Sequence, residues 1–143
     1  MIKTLWTEFN VLKDVTLLEK FSKQFRVTFP TKYLELAKAG IEEPFEKQLV
    51  MTKKGNERVI DNFVSFNEDT YSIFDVTDWI HDDVGFANLI PFASDPFGNY
   101  FCFDKSTNPM KIVWWFHETD DIEEISDDFD QFIASLYNLP HNS

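Results

Sequence analysis

The segment Leu89–Asp104 constrains the fold more than any other part of the chain, because it encodes two strands and the turn between them. Asp95, Pro96 and Gly98 occupy the first, second and fourth positions of a four-residue turn, where a type I geometry favours these residue types. The runs on both sides of the turn are rich in apolar and aromatic residues, which is typical of strands. The segment therefore predicts a β-hairpin with strands Leu89–Phe92 and Asn99–Asp104.

Further strands are predicted before and after this hairpin. A polar stretch around Gly55 lies between two β-prone runs, Gln48–Thr52 and Arg58–Phe66, and predicts a second hairpin. The run Lys111–His117 predicts a strand that is apolar on both faces, because Ile, Trp and Phe alternate with Val and Trp along it. Such a strand belongs in a sheet that is covered on both sides, or it places one face in a partner interface.

Two helices are predicted in the N-terminal part. The first spans about Leu17–Phe25 and begins at a capping box formed by Thr16 and Glu19. The second spans Lys32–Ala39 and ends at Gly40, a residue type that often closes helices.

Helical patterns also occur in the middle and at the end of the chain. Tyr71–Asp83 fits either a strand that runs into a helix or a single helix, and a helix is favoured over most of it. A last helix is predicted to begin at Ser126, with Asp127 and Asp128 in its first turn. Helices at both ends with strands between them predict an α+β fold, in which residues 1–143 form a single domain with a central antiparallel sheet, and the N-terminal helices and the C-terminal helix pack on it.

Charge is distributed very unevenly along the chain. The net charge is −12, and it results from +2 over residues 1–65 and −14 over residues 66–143. Such a field repels nucleic acid and anionic membrane surfaces and attracts cationic partners. The sequence also shows no signal-like N-terminus and no membrane-length apolar run, and its single Cys102 lies in a predicted strand. We therefore expect a cytoplasmic protein that binds neither membrane nor nucleic acid directly.

The acidic residues are densest in Glu118–Asp130, which holds eight of them and no basic residue. One hypothesis is a solvated loop and helix start, and the other is a docking surface for a basic protein. Under the second hypothesis, the candidate partner-binding residues are Asp120, Asp121, Glu123, Glu124, Asp127 and Trp115. Trp115 is included because Trp is favoured at the centre of protein interfaces, although aromatic clusters of this kind are more often core.

Sequence signals for catalysis or cofactor binding are missing. The four glycines form no phosphate-binding loop, and Asp121 stands where a zinc-protease motif starting at His117 would need its second His. Cys102 has no assignable base. No catalytic residue, metal ligand or cofactor is therefore predicted, although an enzyme that uses carboxylates as acid and base is kept as a rival hypothesis.

Several segments follow one another in the order and spacing of a known family. They are Phe29–Tyr33, Asn62–Phe66, Ile90–Ala93, Asp95–Tyr100, Phe101–Asp104, Ile112–Trp115 and Phe129–Ile133. Together they cover about residues 29–136 and resemble the SUKH superfamily, which includes bacterial immunity proteins and cell-wall-assembly regulators of the Smi/Knr type.

The resemblance implies a function as well as a SUKH-like fold. It implies an immunity protein, or antitoxin, that binds and neutralises a toxin made by the same cell, and the toxin domain, often a nuclease, would be encoded nearby. It also implies that the protein is not an enzyme. The alternative is an intracellular adaptor or regulatory scaffold of the same fold that binds proteins other than toxins.

Overall fold

The computed structural model describes residues 6–8, 14–39, 41–44, 48–67 and 72–137, with 6–8 and 41–44 described by their backbone alone. The helices are α1 (Thr16–Phe25), α2 (Thr31–Lys38), α3 (Ile73–Asp78) and α4 (Phe129–Ala134), and a π-helical segment, Trp79–Val84, continues α3. The strands are β1 (Trp6–Glu8), β2 (Ile41–Pro44), β3 (Leu49–Met51), β4 (Glu57–Val59), β5 (Asn62–Phe63), β6 (Leu89–Ser94), β7 (Tyr100–Asp104), β8 (Lys111–Phe116) and β9 (Asp121–Ser126). This architecture confirms the predicted α+β class. Within the described ranges, no helix combines the length and the apolar character that a membrane span requires.

The main sheet has five antiparallel strands in the order β5-β6-β7-β8-β9. The predicted hairpin of β6 and β7 is confirmed, and β7 then pairs with β8 so that Tyr100 lies opposite Trp115 and Phe101 opposite Trp114. Two further ladders, β1-β2 and β3-β4, lie outside the main sheet. Consecutive strands from β5 to β9 are therefore neighbours, and successive connections lie at alternate ends of the sheet.

Both faces of the main sheet are covered. Helices α1, α2 and α4 pack on the first face, where Phe92 and Phe103 meet aromatic residues such as Phe129. Helix α3 and the π-helical segment pack on the second face, which includes Cys102 and Trp115. Strand β8 contributes buried side chains to both clusters, as its two apolar faces predicted.

Helix α1 occurs where it was predicted, but its predicted capping box is wrong. The Asp14 carboxylate accepts hydrogen bonds from the backbone N–H of Thr16 at 3.0 Å and from its hydroxyl at 2.6 Å. Glu19 instead forms an ion pair with Lys23, one turn further on, at 3.0 Å. An aspartate upstream of the helix therefore supplies the acceptor at this end. Helix α2 is confirmed, and Gly40, its predicted terminator, lies outside the described residues.

The preference for a helix in Tyr71–Asp83 is confirmed over α3 and the π-helical segment. Ser72 caps α3 by accepting a hydrogen bond from the backbone N–H of Asp75 at 3.4 Å. The π-helical segment ends at Gly85, whose φ of 99° suits glycine. Tyr71 lies outside the described residues.

The second predicted hairpin forms, but its second strand is shorter than expected. Strands β3 and β4 pair around a turn in which Gly55 has a φ of 87°. The predicted strand Arg58–Phe66 does not continue through its whole length, because β4 ends at Val59 and residues 62–63 pair with β6 instead. The run therefore connects two different sheets.

The largest error concerns the acidic run, part of which is strand β9 and not a loop. Strand β9 pairs with β8 along its length and forms one edge of the main sheet. Ser126, the predicted helix cap, is the last residue of this strand. Helix α4 begins later, and the Asp128 side chain caps it by accepting a hydrogen bond from the backbone N–H of Gln131 at 2.8 Å.

We expect Cys102 to be unreactive in the folded protein. Its side chain is 0% exposed, and burial raises the pKa of its thiol well above the usual range, with the nearby Asp104 charge adding to the effect. Labelling by a thiol reagent at pH 8 should be slower than in urea by on the order of 100-fold or more, because it requires the structure to open. Rapid stoichiometric labelling without denaturant would contradict this placement.

Candidate protein-binding site

Two turns lie side by side at one end of the main sheet. Residues 95–99 connect β6 to β7, and residues 117–120 connect β8 to β9. They share an end because each connection reverses the chain direction in an antiparallel sheet. This region, residues 95–99 and 117–122, is called the paired-turn end below.

The carboxylate of Asp95 organises the first turn from a buried position, with 6% of the residue exposed. One oxygen accepts hydrogen bonds from the backbone N–H groups of Phe97 and Asn99, both at 2.8 Å. The other accepts from the Asn99 side-chain amide at 2.8 Å and from the Trp114 indole at 3.3 Å. Four donors on one buried carboxylate hold the turn in a single conformation.

Asn99 joins the first turn to the second. Its side-chain oxygen accepts a hydrogen bond from the backbone N–H of His117 at 3.0 Å and lies 2.6 Å from Nδ1 of the same residue. Gly98 lies beside the His117 ring, where an added β-carbon would be in ordinary contact at 3.4 Å, and it is its φ of 88° that favours glycine. The two turns therefore form one fixed unit.

The paired-turn end exposes apolar and acidic side chains. Phe97 is 74% exposed and Ile122 is 39% exposed. Glu118, Asp120 and Asp121 are also exposed. Both aspartates accept hydrogen bonds from neutral donors, Asp120 from the Trp115 indole at 3.1 Å and Asp121 from the Thr119 hydroxyl at 2.7 Å.

The other predicted acidic residues bind the β3-β4 hairpin. Glu123 is 8% exposed and accepts hydrogen bonds from Arg58 at 2.9 and 3.1 Å and from Asn56 at 2.7 Å. The Arg58 guanidinium also lies 3.8 Å from the centre of the Trp114 ring. Glu123 therefore anchors the hairpin to the edge of the main sheet and is not available to a partner.

Glu124 and Asp127 extend the contact with the same hairpin. Glu124 forms ion pairs with Lys111 at 3.1 Å and Lys53 at 3.7 Å, and Lys53 also binds Asp127. The hydrogen bond from Lys53 lowers the pKa of the Asp127 carboxyl, and the same bond raises the pKa of Lys53. The backbone N–H of Lys53 donates to the Glu124 carbonyl at 2.8 Å. Of the five predicted acidic residues, only Asp120 and Asp121 thus lack a Lys or Arg within 4 Å among the described residues.

Trp115, a candidate partner-binding residue from the sequence, lies in the core and not at the surface. Its side chain is 1% exposed and packs on the second face of the sheet against Trp79 and Tyr100, with ring centres 5.5 and 6.3 Å away. Its indole N–H is satisfied by Asp120. Trp114 is buried too, at 5% exposed, so both tryptophans of β8 belong to the core.

Sequence reasoning missed Phe97. The signal was present in the turn itself, because Asp95, Pro96 and Gly98 complete a turn in which the third position needs no aromatic residue. Those residues account for the backbone of the turn, whereas the exposed ring at its third position is not required by it.

A ligand groove and a metal centre are the two other kinds of site to consider in the described residues. A groove of about 450 Å³ lies at the opposite end of the sheet, between the starts of α2 and α4 and the β7-β8 connection, and Pro30, Glu35, Met110 and Asp130 line part of it. Its nearby Asp128 carboxylate is engaged in capping α4. Within the described ranges, no three His, Cys, Asp or Glu side chains form a group that could hold a metal ion.

Comparison with known proteins identifies the family. The sequence pattern of the SMI1 / KNR4 family (SUKH-1) matches residues 14–135, which is most of the chain. The chain belongs to this family. The SUKH-1 match includes both the paired-turn end and α1, although α1 lies before residues 29–136, which carry the resemblance in the sequence.

A SPbeta prophage-derived uncharacterized protein of Bacillus subtilis (strain 168), YokK, is similar to this SUKH-1 chain. The two are 30% identical over 129 residues, which cover 82% of this chain and 66% of YokK. The alignment thus spans slightly less than two thirds of that relative. No solved structure matches the chain significantly.

Replacing Asp95 should destabilise the protein strongly. Asp95→Ala leaves buried donors without an acceptor and should lower the free energy of unfolding by about 2–4 kcal/mol. Asp95→Asn keeps one acceptor oxygen and should lie between Ala and wild type. Urea unfolding curves measure both, and a loss below about 0.5 kcal/mol for Asp95→Ala would show that the carboxylate does not hold the turn.

Adjacent glutamates of β9 should respond very differently to loss of charge. Glu123→Gln weakens a nearly buried contact with Arg58 and should lower the free energy of unfolding by about 1–3 kcal/mol. Glu124→Gln is the matched control, and it should have a much smaller effect because its side chain is 48% exposed. Equal effects in urea unfolding would contradict an anchoring role for Glu123.

Proposed function

We propose that this SUKH-1 protein is an immunity protein that binds a toxin domain made by the same cell and neutralises it by occlusion. One observation carries the proposal beyond the family. The paired-turn end displays acidic side chains that no Lys or Arg among the described residues neutralises, beside exposed apolar side chains. A basic partner would pair with the acidic side chains and bury the apolar ones.

The distribution of charge supports a cationic partner. Residues 66–143 carry −14, and the β3-β4 hairpin neutralises only part of that region, because its Arg58 pairs with Glu123 and its Lys53 pairs with Asp127. Asp120 and Asp121 lie just before the neutralised residues. A field of this sign accelerates encounter with a positively charged domain and repels acidic ones.

Occlusion requires binding only, so no group on the chain needs to react. A toxin that acts on nucleic acid must present cations to phosphates, and an acidic surface can cover the same cations. The proposal therefore assigns no catalytic step to this protein. It names the paired-turn end as the surface that approaches the basic site of the toxin.

Co-expression tests the proposal directly. The C-terminal domain of the large protein encoded by an adjacent gene is expressed alone to verify its toxicity, and then together with this protein. Restored growth and co-purification of the two chains are expected. Unrelieved toxicity without co-purification would overturn the immunity proposal, and binding only to non-toxic proteins would favour the adaptor alternative.

Removing charge from the paired-turn end should slow association. The double variant Asp120→Asn and Asp121→Asn keeps an acceptor for the Trp115 indole and should reduce the association rate at low ionic strength by about threefold or more, with a weaker salt dependence.

The control for that experiment is the double variant Glu35→Gln and Asp130→Asn, which removes the same charge beside the groove at the opposite end of the sheet. Its association rate should stay closer to that of wild type. Equal slowing of both variants in stopped-flow mixing would show that net charge matters but that the paired-turn end is not the contact.

A further inference from the structure

Phe97 is the exception among the aromatic side chains that the structure describes. Every other Phe, Tyr or Trp whose side chain the structure describes is buried or half-buried, whereas Phe97 is 74% exposed. The remaining exposed large apolar residues among those described are aliphatic or Met. A largely exposed Phe leaves apolar area in contact with water, and burial in an interface would remove that area from water.

The fold does not require an aromatic residue at this position. The turn is fixed by Asp95, Pro96 and Gly98, together with the Asn99 contacts. Phe97 contributes to it only its backbone N–H, which any residue except proline could donate. The described part of the chain therefore offers no structural explanation for its side chain.

The turn presents this ring on a rigid support. The backbone N–H of Phe97 is bound to a buried carboxylate, and the following residues are bound to the second turn through Asn99 and His117. A ring held on an ordered backbone loses little conformational entropy when it enters a pocket. Pre-organised aromatic side chains of this kind are typical binding hot spots.

We propose that Phe97 is the apolar anchor of the interface with the toxin domain, and that it inserts into an apolar pocket bordered by Lys or Arg. This inference rests on the proposed function. Ile122 and the unneutralised Asp120 and Asp121 belong to the same end of the sheet. They specify the chemistry of the partner, because an apolar pocket with a basic rim complements an exposed ring with an acidic border.

Affinity measurements with three variants test the anchor. The probe is the toxin domain that passes the co-expression test, carrying a mutation that abolishes its activity. Phe97→Ala should weaken binding by about tenfold or more, mainly through faster dissociation. Phe97→Leu keeps apolar bulk and should retain most of the affinity. Val15→Ala is the control, because it shortens a side chain that is 56% exposed on a different element.

Three outcomes separate this inference from the proposed function. Wild-type binding with a selective loss for Phe97→Ala, at unchanged thermal stability, supports the anchor. Equal affinities for wild type and Phe97→Ala overturn the anchor and leave the immunity proposal standing. Absence of wild-type binding to a verified toxin overturns both.

Photo-crosslinking provides a measurement that does not depend on a loss of affinity. A benzoylphenylalanine introduced at position 97 should crosslink to the toxin domain in the mixed sample, whereas the same group at position 15 should not. Crosslinking between two copies of this chain, with none to the toxin, would assign the ring to self-association and would overturn the proposal.

Discussion

A sheet whose inner strands are apolar on both faces is stable in water only when both faces are covered. Strand β8 imposes this requirement most strongly, because it sends Trp114 to one core cluster and Trp115 to the other. Helices α1, α2 and α4 satisfy it on the first face, and α3 with the π-helical segment satisfies it on the second. The flat sides of the sheet are thereby occupied, so a partner must approach its ends, its edges or the outer surfaces of the helices.

The uneven charge of the chain has two different structural roles. Strand β9 uses part of its acidic side chains to bind the hairpin of β3 and β4, because Glu123 binds Arg58 and Glu124 binds Lys53. The acidic residues at the preceding turn are not used in this way. A single run of like charge in the sequence is therefore divided in the structure between an internal contact and an exposed surface.

Elements whose geometry depends on their own residues could be predicted from the sequence. The β6-β7 hairpin was predicted by its turn residues, and β8 by its two apolar faces. Strand β9 was missed because its inward glutamate looks like a surface residue until Arg58, 65 positions away, is known to bind it. Long-range partners of this kind leave no local pattern. The same reasoning failed for Trp115, because neighbouring sequence does not reveal that α3 and the π-helical segment cover its face of the sheet.

The paired-turn end separates the residues that hold a surface from the residues that the surface shows. Asp95, Asn99 and His117 fix the backbone, whereas Phe97 and Glu118 stand beside them in the two turns with exposed side chains. Substitution at a displayed position therefore changes the exposed surface while the supporting hydrogen bonds stay in place. Under the proposed function, one or two substitutions at these positions would adapt the surface to a changed partner. The free energy of unfolding would stay the same, so no compensating substitution elsewhere would be needed.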